Sequence, residues 1–277
     1  MSALGLIAGG GELPRAVAHS VRATGREVFV VPLAGSVTGD WIGEFSHEIL
    51  SPGEPGRIIT ALRGAGVREV LLCGKVDRPK FSDLKLDAKG VLLLPKAIAA
   101  AKKGDDALLR FIVGICEDEG LTAVSVAQAA PALVCGAGPL GRVTPNAEQA
   151  ADIAAAFAIV RALGALDVGQ AAVVCDGLAL AVEAAEGTDA MLGRISGLRE
   201  SLRGSAAHPR GVLVKALKPL QDAKTDMPVV GVATIAGVHA AHLAGIALEA
   251  GASLILDKAL VRDEADRLGL FVTGVTP

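Results

Sequence analysis

The sequence predicts an α/β protein in which a parallel, doubly wound sheet in the N-terminal half is followed by a mixed α/β domain. Two observations lead to this fold class. Short apolar runs typical of buried strands alternate with helical patterns through residue 126, and such alternation is typical of parallel sheets. The chain of 277 residues is 51% hydrophobic, which is enough for the core of one large or two medium-sized domains.

The N-terminal elements follow one another as strand, turn and helix. The first strand leads into the turn Gly9-Gly10-Gly11, and Pro14 suits the first turn of the helix that follows. The predicted strands are residues 4–8, 27–33, 67–73 and 121–126, and further helices are predicted over residues 55–65 and 105–119. Because such sheets bind ligands at the carboxyl ends of their strands, the glycine turn and Gly74-Lys75 are expected near a ligand.

Residues 131–145 contain three prolines and three glycines, which is typical of a domain junction. We therefore predict a first domain over residues 1–132, a linker over 133–145 and a second domain over 146–277. In the second domain we predict helices over residues 146–163, 188–202, 234–250 and 261–268. The predicted strands are residues 211–216, 253–256 and 270–272, with a hairpin over 173–182 that turns at Asp176-Gly177.

The composition excludes several classes of function. The net charge of −3 and pI of about 6.0 give no global basic field for nucleic acid. Four cysteines without a C-x-x-C spacing are expected to be small apolar fillers in a reducing cytoplasm, not zinc ligands: Cys73, Cys116, Cys135 and Cys175. No signal peptide or clean membrane span is evident. We expect a cytoplasmic protein, with contact to a membrane surface left open.

The glycine turn has two interpretations. Glycines after a strand let backbone N–H groups approach a phosphate, but a plain tight turn needs them as well. The dinucleotide fingerprint G-x-G-x-x-G is broken at Pro14, and no acid ends the second strand, so an NAD oxidoreductase is disfavoured. Lys75 similarly is either a ligand at a strand end or an ordinary surface lysine.

The segment VLVKALKPLQDAKTDMPVVG, residues 212–231, gathers charge between apolar flanks. It contains Lys215, Lys218, Gln221, Asp222, Lys224 and Asp226. A solvated loop is one interpretation. The other is a phosphate and metal site, because lysines suit phosphate oxygens and an aspartate suits Mg²⁺. Around the start of the helix predicted over residues 188–202, Glu183, Glu186 and Asp189 are spaced by three, so their carboxylates are expected to converge. Thr188 or Asp189 would alternatively cap that helix.

Seven stretches carry a resemblance to a known family. They are GLIAGGGELP, GKVDRP, GDDALLR, LDVGQAAVVCDGLALAVEAAEGTDAML, VKALKPLQDAKTDMPVVG, GIALEAGASLILDKA and GLFVTG. The chain resembles the LpxI-type UDP-2,3-diacylglucosamine pyrophosphatases of lipid A biosynthesis over nearly its whole length. The resemblance implies a Rossmann-like N-terminal domain, dependence on Mg²⁺, and hydrolysis of the pyrophosphate to UMP and 2,3-diacylglucosamine 1-phosphate. The alternative is a non-catalytic nucleotide- or lipid-binding protein of the same fold.

The resemblance also implies roles for individual residues. Asp226 lies in the counterpart of the family's R-x-D-L-P motif, so it inherits the essential role and the Mg²⁺; Lys224 stands in place of the usual arginine. Lys215 and Lys218 are expected to act on the diphosphate. Further substrate-binding residues are Gly10, Gly11, Gly74, Lys75, Thr188, Asp189, Gln221 and Lys224. We expect water to attack the sugar-side phosphorus, and we leave open an oligomeric state and contact with the inner face of the inner membrane.

Overall fold

The computed structural model describes residues 2–37, 39–76, 84–218 and 227–276. The chain divides into two compact units, Met1–Ala132 and Leu133–Pro277. Residues 133–145, which the sequence predicts to be a linker, lie in the second unit, where Gly138–Pro139 forms a short strand.

The first unit is built around a parallel sheet of five strands. The strands are β1 (Leu4–Ala8), β2 (Val28–Pro32), β3 (Ser46–His47), β4 (Glu69–Cys73) and β5 (Thr122–Ala123). Their order in the sheet is β3-β2-β1-β4-β5, and every pair is parallel. From β1 the chain first adds β2 and β3 on one side of β1, and later adds β4 and β5 on the other side. The switch point therefore lies between β1 and β4. The predicted parallel sheet is therefore confirmed.

Five α-helices flank this sheet in the described part of the unit. They are α1 (Leu13–Ala23), α2 (Pro55–Gly64), α3 (Ala88–Ala101), α4 (Asp105–Asp118) and α5 (Val126–Ala129). The sequence prediction missed α3, whose start is fixed by the side chain of Asp87 accepting from the Gly90 N–H. The strand predicted over residues 121–126 is also too long, because the Ser125 hydroxyl caps α5 and that helix begins at Val126.

The second unit contains a mixed sheet of six strands. They are β6 (Gly138–Pro139), β7 (Ala171–Cys175), β8 (Leu178–Val182), β9 (Val212–Lys215), β11 (Gly245–Glu249) and β13 (Phe271–Val275), in the order β6-β13-β11-β9-β7-β8. Strands β9, β11 and β13 are parallel, whereas β6, β7 and β8 run antiparallel to their neighbours. The predicted hairpin is β7–β8. A smaller sheet pairs β10 (Val229–Val230) with β12 (Leu254–Ile255).

The four central strands of the six-stranded sheet, β13, β11, β9 and β7, are buried on both faces. Alternate strand residues such as Leu213 and Ile246 pack in one apolar cluster, while Val212 and Ala247 pack in another with Phe157. The helices of this unit are α6 (Ala147–Ala165), α7 (Gly187–Ser196), α8 (Glu200–Arg203), α9 (Val232–Ala240) and α10 (Lys258–Leu268). The mean hydropathy of +0.49 thus reflects core on both sides of a sheet.

One predicted helix is too long and a second is broken. Residues 234–250 form most of α9 and all of β11, because His242 adopts a left-handed φ of 57° that ends the helical path. Gly245 then lies where a Cβ would be 2.4 Å from the Phe271 ring, which suits closely packed strands. The helix predicted over residues 188–202 stops at Ser196 and resumes at Glu200.

The four cysteines are free thiols, and three of them are buried. Burial raises the pKa of Cys116 and of Cys175 to about 11, so both are protonated at neutral pH. Within the described ranges, none of the helices is long and apolar enough to cross a membrane.

Candidate functional site

The topology of the second unit collects charged residues at one edge of the six-stranded sheet. Strands β9 and β11 are parallel and end at Lys215 and Glu249. Strand β7 runs the opposite way, so its first residue, Ala171, pairs with Lys215. Strand β8 reverses once more and brings Glu183 to the same edge. Residues that are far apart in sequence therefore meet where the parallel strands end, which is the edge at which such sheets bind ligands.

Lys215 is the central cation of this edge. Its side chain is 5% exposed. Two of its hydrogen bonds run from Nζ to the Thr188 hydroxyl oxygen, at 2.9 Å, and to the Val229 carbonyl oxygen, at 3.1 Å. A buried ammonium is stable only when acceptors replace its water, and the start of α7 and strand β10 supply them.

Glu183 supplies the opposite charge through Thr188. It is buried, and its Oε1 accepts a hydrogen bond of 2.7 Å from the Thr188 hydroxyl. Its Oε2 accepts from the backbone N–H of Gln170, at 3.3 Å. Since a hydroxyl has a single proton, donating it to Glu183 leaves the lone pairs of Thr188 for the Lys215 ammonium. We call Glu183, Thr188 and Lys215 the buried relay.

Lys218 lies beyond the end of β9 on the same edge. It is half-buried, and its Nζ is 2.9 Å from Oδ1 of Asp167, whose own side chain is 81% exposed. The chain between the two lysines is held by Glu249, whose Oε2 accepts from the Leu217 N–H at 3.0 Å. Because a water-exposed carboxylate holds a lysine only weakly, a stronger anion would displace Asp167.

The predicted site residues of the second unit fall into three groups. Lys215 and Thr188 are in direct contact, and Lys218 lies on the same edge. Asp189 lies exposed in the first turn of α7. Gln221, Lys224 and Asp226 lie outside the described residues.

The carboxylates spaced by three do not converge, contrary to the prediction. Glu183 points into the buried relay, Glu186 pairs with Arg194 at 2.5 Å, and Asp189 is exposed. Across the described ranges there is no group of three or more His, Cys, Asp or Glu side chains able to hold a metal ion.

Sequence reasoning missed two acids of this edge. Glu183 directly follows the apolar strand LALAV, which is the position of a strand-end ligand. Glu249 was hidden inside the wrongly predicted helix, so no sequence signal placed it at a strand end.

In the first unit, the structure brings the two predicted loops together at the switch point. The Gly10 N–H donates to the Lys75 carbonyl at 2.7 Å, and the Lys75 N–H donates to the Gly10 carbonyl at 2.8 Å. We call this pair of bonds the loop bridge. The Gly9 N–H is also bonded, to the Cys73 carbonyl. The loop bridge therefore uses the backbone groups of Gly10 and Lys75 within the protein.

The glycines are needed because these backbones approach closely. A Cβ on Gly10 would lie 2.5 Å from the Ser36 carbonyl oxygen, and one on Gly74 would lie 2.7 Å from the Gly9 carbonyl carbon. Gly74 also has a φ of 98°, which side chains disfavour. Gly11, with a φ of 88°, has no described atom within 4 Å of its Cβ position, and the Lys75 side chain is exposed. Nucleotide binding by these four residues stays a prediction.

Two comparisons with known proteins cover the chain. Family models for the LpxI N-terminal domain and the LpxI C-terminal domain match residues 3–133 and 136–273. A curated relative, the UDP-2,3-diacylglucosamine pyrophosphatase LpxI of Caulobacter vibrioides, is 47% identical over 277 residues. This alignment includes 100% of the chain and 99% of the relative.

Proposed function

The chain belongs to the LpxI family, and from this membership we propose that it is a hydrolase that cleaves the pyrophosphate bond of UDP-2,3-diacylglucosamine. The products are UMP and 2,3-diacylglucosamine 1-phosphate, and the reaction serves lipid A biosynthesis. The observation that carries the proposal is the 47% identity to a pyrophosphatase of that name over the full length of both chains. The charged edge of the second unit supports it, because a diphosphate needs clustered cations.

In the proposed reaction, Lys215 and Lys218 neutralise the negative charge that the diphosphate gains in the transition state. Lys215 is suited to this because the buried relay fixes its ammonium before substrate arrives, so little reorganisation is needed during the reaction. Lys218 exchanges its exposed partner Asp167 for a phosphate oxygen. Glu183 acts on Lys215 through Thr188 and is a positioning residue.

Magnesium is the proposed cofactor, and Asp226 is its proposed ligand. The donor chemistry fits, since Asp226 offers hard oxygen atoms and Mg²⁺ usually takes one or two carboxylates, with water and substrate phosphates completing its shell. When bound, the ion would supply neutralisation of the phosphate charge. Gln221 and Lys224 are proposed to contact the diphosphate from the same segment.

Water is proposed to attack the sugar-side phosphorus, so that UMP is the leaving group. In-line displacement places the attacking water opposite the bond that breaks. The proposal assigns the sugar phosphate to the unit that carries Asp226, and the uridine to the unit that carries Gly10, Gly11, Gly74 and Lys75. Thr188 and Asp189, at the start of α7, are assigned to the sugar-phosphate side.

The proposal is tested by incubating the purified protein with UDP-2,3-diacylglucosamine, with and without Mg²⁺, in water enriched in heavy oxygen. We expect UMP to be released only with the metal, and the label to appear in 2,3-diacylglucosamine 1-phosphate. Tight binding of the substrate without any release of UMP would identify a non-catalytic binding protein. Label in UMP would keep the activity but contradict the proposed site of attack.

A further inference from the structure

Helix α3 has an outward face unlike that of an ordinary surface helix. The exposed residues recur every three or four positions and are mostly apolar, with lysines at the C-terminal end: Ala88, Val91, Leu92, Pro95, Lys96, Ala99, Lys102 and Lys103. The side chain of Leu92 is 77% exposed and that of Val91 is 58% exposed. By contrast, α10 presents Arg262, Asp263 and Arg267 to solvent. We call the exposed residues of α3, with Lys102 and Lys103, the α3 face.

The neighbouring helix leaves more apolar surface uncovered. Helices α3 and α4 pack against each other. Among the described residues of these two helices, only Gly90 in α3 and Cys116 in α4 are buried. Leucines and isoleucines on both helices remain half-exposed, as does Phe111. A contiguous exposed apolar patch is typical of a surface that binds protein or lipid, so the α3 face calls for a partner.

The charge of the α3 face limits which kind of partner would fit it. From residue 88 to residue 104 the sequence has four lysines and no acidic residue, with Asp87 directly before this stretch and Asp105 and Asp106 directly after it. Lys89 pairs with Glu119, whereas no described carboxylate pairs with the other three. Exposed apolar side chains beside lysines are typical of helices that lie on anionic bilayers, where the apolar groups enter the boundary of the acyl region.

We infer that the α3 face binds the surface of an anionic lipid bilayer. The inference takes one element from the proposed function, which is that the substrate carries two acyl chains and is itself held in a membrane. A second copy of the chain fits the face less well. A two-fold contact pairs the face with itself, and since the face has no acidic residue, Lys96, Lys102 and Lys103 of one copy would meet no carboxylate on the α3 face of the other.

The test is binding of the whole protein to vesicles without substrate. Vesicles of phosphatidylcholine alone are compared with vesicles that also contain phosphatidylglycerol, and partition is measured by cosedimentation. The main variant is Leu92→Glu. Its matched control is Leu166→Glu, which makes the same change at a leucine of the second unit that is 75% exposed.

We expect the wild-type protein to partition onto the phosphatidylglycerol vesicles and far less onto phosphatidylcholine. Leu92→Glu should lower the partition coefficient at least about tenfold. It removes a leucine side chain from the lipid and adds a negative charge that the anionic lipid repels. Leu166→Glu should change it by no more than about twofold. A triple change of Lys96, Lys102 and Lys103 to glutamine should remove the preference for phosphatidylglycerol.

Equal partition of the two leucine variants would overturn the inference, as would failure of the wild-type protein to bind either vesicle. A change in oligomeric state caused by Leu92→Glu without lipid would show that the face holds a second copy, and the inference would be wrong. Hydrolysis of detergent-dispersed substrate is measured separately. Leu92→Glu should leave it unchanged, whereas a wild-type protein that binds vesicles but releases no UMP would contradict only the proposed function.

Discussion

The two units hold their predicted ligand residues by different means. In the first unit, the loop bridge joins Gly10 to Lys75 through main-chain hydrogen bonds, and glycine is required because two backbones meet. In the second unit, the buried relay holds Lys215 through the side chains of Thr188 and Glu183. The first unit thus positions its predicted ligand residues through main-chain hydrogen bonds, whereas the second positions Lys215 through side chains that include a charged carboxylate.

This difference indicates what each unit contributes. A bridge of main-chain hydrogen bonds costs little free energy of desolvation, because the paired N–H and C=O groups satisfy each other. A buried charge pair is expensive to desolvate, and apolar residues of similar size would often be more stabilising. The second unit therefore keeps a costly arrangement at a strand edge, as expected where chemistry takes place. Substitutions in the first unit should mainly change stability, whereas those in the second should mainly change turnover.

The largest expected effect concerns Asp226, which tests whether the chemistry depends on the second unit. Asp226→Ala should lower kcat at least about a hundredfold, the order expected when a metal ligand or general base is lost. Initial rates of UMP release over a range of substrate and Mg²⁺ concentrations measure it. Asp263→Ala, an exposed acid on α10, serves as control and should be near wild type. Near wild-type turnover in folded Asp226→Ala would remove Asp226 from the site.

A direct comparison of the units uses one lysine from each. Lys215→Met should lower kcat by about ten- to a hundredfold, because a preorganised charge at the diphosphate is lost. Lys75→Met, at an exposed side chain whose bridging groups are main chain, should change kcat less than about threefold. Thermal unfolding of both variants shows whether each is folded at the assay temperature, so that the two values of kcat can be compared. Equal losses of kcat would mean that the two units do not differ as proposed.

Thr188 separates a positioning role from direct substrate contact. Thr188→Val keeps the shape but removes the hydroxyl that joins Glu183 to Lys215, so kcat should fall about tenfold with little change in KM. Thr188→Ser restores the hydroxyl and should recover most of the rate. If Thr188 instead binds substrate without positioning Lys215, the valine variant should raise KM and leave kcat near wild type.

The fold could largely be predicted because apolar runs and turn residues are local signals. Strand β1, the β7–β8 hairpin and the parallel character of the first sheet all follow from such signals. Strand β11 could not be predicted, because GIALE within an alanine-rich stretch fits a helical pattern equally well. Its extended form depends on His242 leaving the helix and on Gly245 packing against Phe271, both of which are tertiary effects.

The candidate site was less predictable, since its residues come from separate strands. Lys215 is singled out as one of the charged residues of segment 212–231, but its burial and its link to Glu183 depend on β7 and β8 reversing beside β9. The same limit applies to Gly10 and Gly74. The sequence suggested room for a phosphate, whereas the structure shows that both glycines are needed for the approach of two loops.

The smallest expected effect tests this structural role of the glycines. Gly10→Ala would place a Cβ 2.5 Å from the Ser36 carbonyl, so the free energy of unfolding should fall by about 1–3 kcal/mol. Gly114→Ala, in α4 with no described atom within 4 Å of the Cβ position, should raise it by about 0.5–1 kcal/mol. Urea unfolding measures both, and kcat should stay within a few-fold of wild type. If Gly10→Ala instead lost turnover as Lys215→Met does, with unchanged unfolding, the loop bridge would belong to the chemistry, and the division of roles between the units would fail.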